Sequence, residues 1–410
     1  MISTINGRWL LVLLGFVALA MAFSTRSLLG LAMPAWEAEF GWTKSAISGA
    51  GAIGLIVMAV VAPFVGHSID RYGARPVIVS GMVMIGLGSL LIATMQSQGV
   101  FFLGFAGISA VGFGIVSMHA VATAIAPHFN ERRGLATGIT SSGATGGQLL
   151  FVPLFSIVAS VYSWREGYWM VGGGTLALAL ICWISLKTRS ASATTKGESQ
   201  SDNQTLRGVT NSLVKSPVFH GLFWSFALCG FTTAGVIETH LLPYASICGY
   251  GSVTSASAYG ILSAFNLVGM IVAGYLSDRM NGVVLLSGIY LMRAASFILL
   301  MFIAVDVQFL FLFAIVFGLF DYSTVPVTAN LTAKHLGLRV MGLTMGVLAA
   351  GHALGAASGA YLGGVVYDYY GSYSNVWLML VGLAALSGFL VVALCAGREE
   401  EEVAIQTSGH

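Results

Sequence analysis

Apolar runs long enough to cross a lipid bilayer make up most of this chain, and that restricts it to a narrow set of folds. From Trp9 to Met33 the only charged residue is Arg26. A helix spanning the hydrocarbon core needs about 20 such residues. Windows of about 19 residues predict twelve helices, at 9–33, 45–66, 76–96, 100–127, 134–161, 166–187, 217–245, 253–276, 283–305, 308–331, 340–366 and 374–396. Only 8% of the residues are charged, against about a quarter in a soluble domain, and the mean hydropathy is +0.86. The sequence therefore reads as an all-α integral membrane protein. Arg8 and the small residues Ala18, Ala20 and Ala22 imitate a secretory signal peptide. Because the apolar run continues to Met33 and more spans follow, the segment reads as the first transmembrane helix.

One connection stands apart from the short loops. Residues 190–208, "SASATTKGESQSDNQTLRG", are polar and low in complexity and read as a flexible linker. The expected organisation is an N-terminal six-helix bundle over 1–187, a cytoplasmic linker over 188–215, a C-terminal six-helix bundle over 216–398 and a disordered cytoplasmic tail over 399–410. With the N-terminus inside, fourteen of the 18 basic residues lie on the cytoplasmic side, two (Lys44 and Arg165) lie outside and two (Arg26 and Arg293) lie within spans. This positive-inside bias orients both termini and the linker toward the cytoplasm. The predicted location is the inner cell membrane.

The two halves are also copies of each other at an offset of 208 residues. "GHSIDR" (66–71) matches "GYLSDR" (274–279), "RGLATGITSSGATGG" (133–147) matches "MGLTMGVLAAGHALG" (341–355), and "FST" at 23 matches "FTT" at 231. Glycines recurring at such spacing let transmembrane helices approach closely, so the repeat predicts duplicated packing surfaces. Parallel repeats with a site between them near the midplane are one established transporter architecture.

The stretch "GHSIDRYGARP", echoed by "GYLSDRM", resembles the cytoplasmic signature G-x-x-x-D-R-x-G-R of the major facilitator superfamily. The resemblance covers the whole chain and implies a major facilitator fold of two pseudo-symmetric six-helix bundles. It also implies a cytoplasmic gate built from Gly66, Asp70, Arg71, Gly73, Arg75, Asp278 and Arg279. In that gate Asp70 would cap a helix terminus and pair with Arg71 or Arg75. "TRSLLG" followed by "EFGWTKSAISGA", together with "HFNERRGLATGI" and "FTTAGVIETHLLPYASICGYG", resembles the bacterial branch related to monocarboxylate porters and oxalate/formate antiporters. That branch implies proton-coupled uptake or exchange of small organic anions. Its members often carry a substrate arginine on the eighth helix, four residues before the second signature glycine, and this chain has Met270 there. Asn266, one turn earlier, matches an asparagine of some relatives.

The ionisable residues within spans are the remaining candidates. Arg26 either snorkels to the outer interface or grips a substrate carboxylate through its planar guanidinium. His119, Asn266 and Tyr322 are further substrate-binding candidates. Arg293 and Asp321 lie 13 and 15 residues from the turn at Asp306, about 20 and 22 Å down neighbouring helices, and so at one depth. They are either a structural ion pair or, with Glu238, a proton-coupling set. Cys182, Cys229, Cys248 and Cys395 show no metal spacing and read as small packing residues.

No phosphate loop or hydrolase motif occurs, so neither ATP use nor enzymatic activity is expected, and no metal. No basic patch suggests nucleic acid. The reading is a secondary active transporter of a small carboxylate, most simply a monocarboxylate, with the lipid bilayer as its surroundings. No cofactor is expected; a proton or an exchanged anion couples transport, and the unit is a monomer. Its rivals are a proton-driven exporter of hydrophobic or drug-like compounds and a ligand sensor that does not transport.

Overall fold

The computed structural model describes residues 2–185 and 213–408. Most of the expected 188–215 linker therefore lies outside the described residues. The described chain is a succession of helices: α1 (Ile2–Phe40), α2 (Lys44–Tyr72), α3 (Ala74–Ala93), α4 (Gln98–Phe102), α5 (Ala110–Ile115), α6 (Met118–Ile125), α7 (Arg133–Val161) and α8 (Trp164–Ser185). The second half continues with α9 (Pro217–Gly230), α10 (Glu238–Ile247), α11 (Ser252–Ser277), α12 (Gly282–Leu300), α13 (Val307–Phe320), α14 (Thr324–His335), α15 (Met341–Tyr370) and α16 (Ser374–Ser408). Among the described residues eleven helical stretches are long and apolar enough to cross a membrane. The 29-residue α7 makes the twelfth long helix, so the chain has the twelve-helix architecture.

Caps written into the sequence fix where these helices begin. Thr43, Ser97, Ser117 and Ser216 each accept a hydrogen bond from the amide three residues on. Asn281 does the same for Val284, and Asp306 accepts from Gln308. Such caps satisfy amides that a helix leaves unpaired at its start. Between α2 and α3 the chain turns at Gly73 with φ +83°, a conformation that costs a residue with a Cβ. The glycine of the signature is thus explained by the turn alone.

The structure departs from the predicted helices at four places. The fourth and seventh spans contain π-helical segments, Leu103–Ser109 and Phe231–Ile237. The fourth span also breaks at Val116 and Ser117, and the tenth breaks at residues 321–323. Asp321, predicted near the middle of a continuous helix, sits instead at the C-terminal cap of α13. At the other end of the chain, α16 runs on to Ser408, where a disordered tail was expected from residue 399. Its glutamates are good helix formers that let the span continue without a break.

Two compact units emerge. The first comprises Met1–Asn130, Ile139–Ser201 and Met341–Gly346; the second comprises Glu131–Gly138, Asp202–Val340 and Val347–His410. The opening turns of α7 and α15 therefore group with the opposite unit from the remainder of each helix. In the first unit Gly143 and Gly147 bring α7 against the backbone of Phe16 and Ala20 on α1. An aromatic cluster in it packs Trp36 against Phe101, Trp164 and Tyr168. In the second unit Phe297, Phe313, Phe317 and Trp377 form a fully buried core.

Candidate functional site

The second unit brings five of the predicted residues into one connected set. Arg293, on α12, is fully buried, and its guanidinium donates to Cys229 Sγ on α9 and to Thr232 and Thr233 of the π-helical segment. Its Nη2 lies 4.0 Å from Asp321 Oδ1. Asp321 accepts from Asn266 Nδ2 at 3.1 Å through its other oxygen. Asn266 Oδ1 in turn takes the backbone N–H of Tyr322 at 2.9 Å, and the Tyr322 hydroxyl donates to Glu238 at 2.8 Å. Glu238 is exposed while Asn266, Asp321 and Arg293 are buried. The set thus runs from an accessible carboxylate to a sequestered ion pair.

The helix break explains why an asparagine is needed. Where α13 stops and α14 begins, backbone N–H groups lose their partners in the helix, and within a membrane such groups must be satisfied by neighbouring helices. Asn266 supplies an acceptor to Tyr322 N–H while its own amide nitrogen binds Asp321. With both ends of its amide engaged and 2% exposure, Asn266 positions the break and the carboxylate. An Asn266→Leu variant leaves a buried amide and one carboxylate oxygen without these partners. The expected cost is about 1 to 3 kcal/mol for each, read as a lowered denaturation midpoint; an unchanged midpoint would remove this positioning role.

Arg26 and His119 belong to the first unit. Arg26 is half-buried on α1, with its guanidinium carbon 4.9 Å from the Phe23 ring centroid. Ser27 beside it is held by Gln148 Nε2 of α7 at 2.7 Å, which fixes the rotation of α1 at this level. His119, also half-buried, lies in the first turn of α6, directly after the break that Ser117 caps. Met270, where the resemblance implied a substrate arginine, is fully buried, and its carbonyl faces Gly138. That position packs helices together and offers no anion site here. His240 is fixed at both ring nitrogens, by the Tyr373 hydroxyl and the Ala360 carbonyl, each at 3.1 Å.

The signature residues form two equivalent clasps. Asp70 accepts from the amides of Gly342 and Leu343 at 3.0 and 2.9 Å, at the start of α15. Asp278 accepts from Gly134 and Leu135 at 2.7 and 2.9 Å, at the start of α7. Each carboxylate meets the positive end of a helix dipole. A methyl group on Gly66 would collide with the Gly342 carbonyl, and one on Gly274 with that of Gly134. All three contacts of one clasp recur in the other at the 208-residue offset. The pairing of Asp70 with Arg71 or Arg75 is replaced by this capping. Arg75 donates to the Trp183 carbonyl and stacks on its ring, and Arg71 and Arg279 lie over Tyr72 and Tyr275.

Three members of the buried set were not singled out from sequence as chemical groups. Cys229 read as a packing residue, yet its sulfur accepts from Arg293; Thr232 and Thr233 accept from the same guanidinium. The signal was the "FST"/"FTT" correspondence at 23 and 231, which marked the threonines as repeated but gave no partner.

Comparison with known proteins agrees with this architecture. The family model described as Major Facilitator Superfamily matches residues 15–308. The chain therefore belongs to the major facilitator superfamily; it is a multi-pass membrane transporter and not an enzyme. Among its relatives, the MFS-type transporter YcxA of Bacillus subtilis (strain 168) is 26% identical over 388 residues, covering 92% of this chain and 94% of YcxA. Monocarboxylate transporter 13 of Rattus norvegicus is 24% identical over 388 residues, covering 93% and 88%. A crystal structure of the MFS transporter FucP in the outward conformation superposes with a TM-score of 0.75 at 15% identity, covering 94% of this chain and 98% of FucP. The human organic anion transporter MFSD10 (TETRAN) superposes with a TM-score of 0.69 at 16% identity, covering 94% and 99%.

Proposed function

We propose that the protein is a secondary active transporter of a small organic anion, in the first place a monocarboxylate, working by alternating access. The observation that carries this reading is Arg26: a half-buried guanidinium inside a span that forms no ion pair with a carboxylate among the described residues. A charge in a span is costly unless it has a purpose, and a planar guanidinium is suited to a bidentate grip on a carboxylate. The monocarboxylate transporter relatives support the same substrate class. His119 supplies a second polar contact. Tyr322, tied to exposed Glu238, is the substrate-facing member of the second unit.

Coupling is assigned to Asp321 and its partners, with a proton as the coupling species and anion exchange as the other mode; no cofactor takes part. Asp321 sits where a helix breaks, so a change in its charge acts directly on the backbone geometry that Asn266 holds. The clasps at Asp70 and Asp278 form the cytoplasmic gate. The distribution of basic residues supports an inner-membrane location with both termini and the linker in the cytoplasm. The working unit is taken as a monomer without ATP or nucleic acid.

Thermal unfolding in the presence of a panel of small mono- and dicarboxylates tests the substrate class, because a ligand that binds only the native state stabilises it by mass action. At 100 times its Kd a carboxylate is expected to add about 2.7 kcal/mol to the wild type and nothing to Arg26→Gln. Stabilisation that survives the variant, or none with any carboxylate, moves the assignment to an exporter of hydrophobic compounds.

A further inference from the structure

The lower half of the broken tenth span carries a polar face that the reading above does not use. Thr324, Thr328 and Thr332 recur every fourth residue on α14, and His335 follows in its last turn. At 3.6 residues per turn these four side chains fall within an arc of about 80°. The three threonines are 1%, 1% and 0% exposed, and His335 is half-buried.

Buried hydroxyls in this chain ordinarily donate to a carbonyl one turn back. Thr175 does so to Val171 and Ser387 to Leu383, at 2.8 and 2.9 Å. Thr328 Oγ1 and Thr332 Oγ1 have no hydrogen-bond partner among the described residues, and the same holds for Asp321 Oδ1. Thr324 Oγ1 joins the series at its upper end, 3.8 Å from Cys229 Sγ. Buried polar atoms without a partner call for an explanation, of which unseen water is a leading one. Successive threonines are separated by about 6 Å along the helix axis. One water between two hydroxyls spans about that distance with two ordinary hydrogen bonds.

Away from this face, Asn330 donates to Ser277 on α11 at 2.9 Å, and at its edge Leu331 packs over Gly282 at the start of α12. Valine would fill the threonine positions with the same shape and no polar atom, so packing alone gives no reason for three hydroxyls in line.

We propose that this threonine face is the proton-access route from the cytoplasmic side to Asp321, a file of water molecules running past His335, Thr332, Thr328 and Thr324. The inference rests on the assignment of proton coupling to Asp321. The charged and titratable groups around that carboxyl are Arg293 from α12, Cys229 from α9, and Glu238 and His352 at longer range. Asn266 of α11 holds its second oxygen. Protons delivered along the route meet Asp321 at the oxygen not held by Asn266. Glu238, joined to the same set through Tyr322, offers the opposite approach.

The test uses silver ion as a water-borne probe in everted and right-side-out membrane vesicles of the full chain. Thr328→Cys and Thr332→Cys are compared with Ala329→Cys and Ala333→Cys, whose parent residues are also buried, at 0% and 6% exposure, but lie off the face. Silver block is read residue by residue as protection from later alkylation under denaturing conditions. Block at positions 328 and 332 is expected at least tenfold faster than at 329 and 333, from the cytoplasmic face only, and faster at 332 than at 328. Equal rates at all four positions, or access only from the outer face, overturn the route.

Infrared spectroscopy separates this result from the fate of the coupling assignment. The Asp321 carboxyl band, identified by its loss in Asp321→Asn, is followed through a pH titration. If the band titrates while the thiols stay inaccessible, the route fails alone. If no band titrates, the route and the coupling assignment fail together.

Discussion

Replacing Arg293 by methionine is expected to lower the unfolding free energy by about 3 to 5 kcal/mol, the range for breaking a buried pair by removing one partner. Arg293 and Asp321 are both almost completely sequestered and 4.0 Å apart. Without the guanidinium the Asp321 carboxylate stays in a low-dielectric interior with Asn266 alone. Cys229, Thr232 and Thr233 lose their common donor as well. The double variant Arg293→Met with Asp321→Asn is expected to recover most of the loss, because a neutral pair needs no counter-ion. A cycle measured by chemical denaturation in detergent decides the matter. If the double variant is as unstable as the sum of the singles, the pair is not coupled and the two residues serve separate purposes.

The second large effect is expected at the signature glycines. A Gly66→Ala or Gly274→Ala variant places a methyl group against the backbone carbonyl of Gly342 or Gly134. A backbone atom cannot yield as a flexible side chain does, and such overpacking costs about 1 to 3 kcal/mol. The same displacement pulls the helix start away from Asp70 or Asp278, so the cap hydrogen bonds go with it. Gly173 provides the control, since nothing lies within 4 Å of a Cβ there. Alanine at Gly173 is expected to be neutral or to stabilise by about 0.5 to 1 kcal/mol through helix propensity. Denaturation midpoints of the three variants check the contrast, and loss at Gly173 equal to that at Gly66 would contradict the close-approach account. The two clasp variants are also expected to reduce transport of any carboxylate identified by thermal stabilisation, because they loosen the contacts assigned to the gate.

Much of the fold was legible because the bilayer simplifies the problem. Residues 9–33 and their counterparts announce themselves by length and apolarity, since the hydrocarbon core accepts few other patterns. The 208-residue repeat placed equivalent glycines and aspartates in each half, and the clasps are built on those residues. Depth along neighbouring helices put Arg293 and Asp321 level, because rise per residue is fixed. The breaks and the π-helical segments were not legible. The interruption falls where the apolar α13 gives way to the threonine-rich α14, but it depends on an acceptor from Asn266, 55 residues before Asp321. The partners of Arg293 were hidden for the same reason: Cys229, Thr232 and Thr233 look like any small residues until a guanidinium arrives from another helix.

Sequence by itself determined the class of solvent, the twelve spans, the duplication and the residues whose charge demands an explanation. Those properties depend on composition and on fixed local geometry, which each segment carries wherever it is placed. Tertiary structure alone decided which helix starts Asp70 and Asp278 cap, those of α15 and α7. It alone decided that Asn266 positions a helix break, and that Met270 is buried packing. Each of these outcomes turns on contacts of a few ångströms between segments far apart in the chain, and a local sequence pattern does not encode that distance.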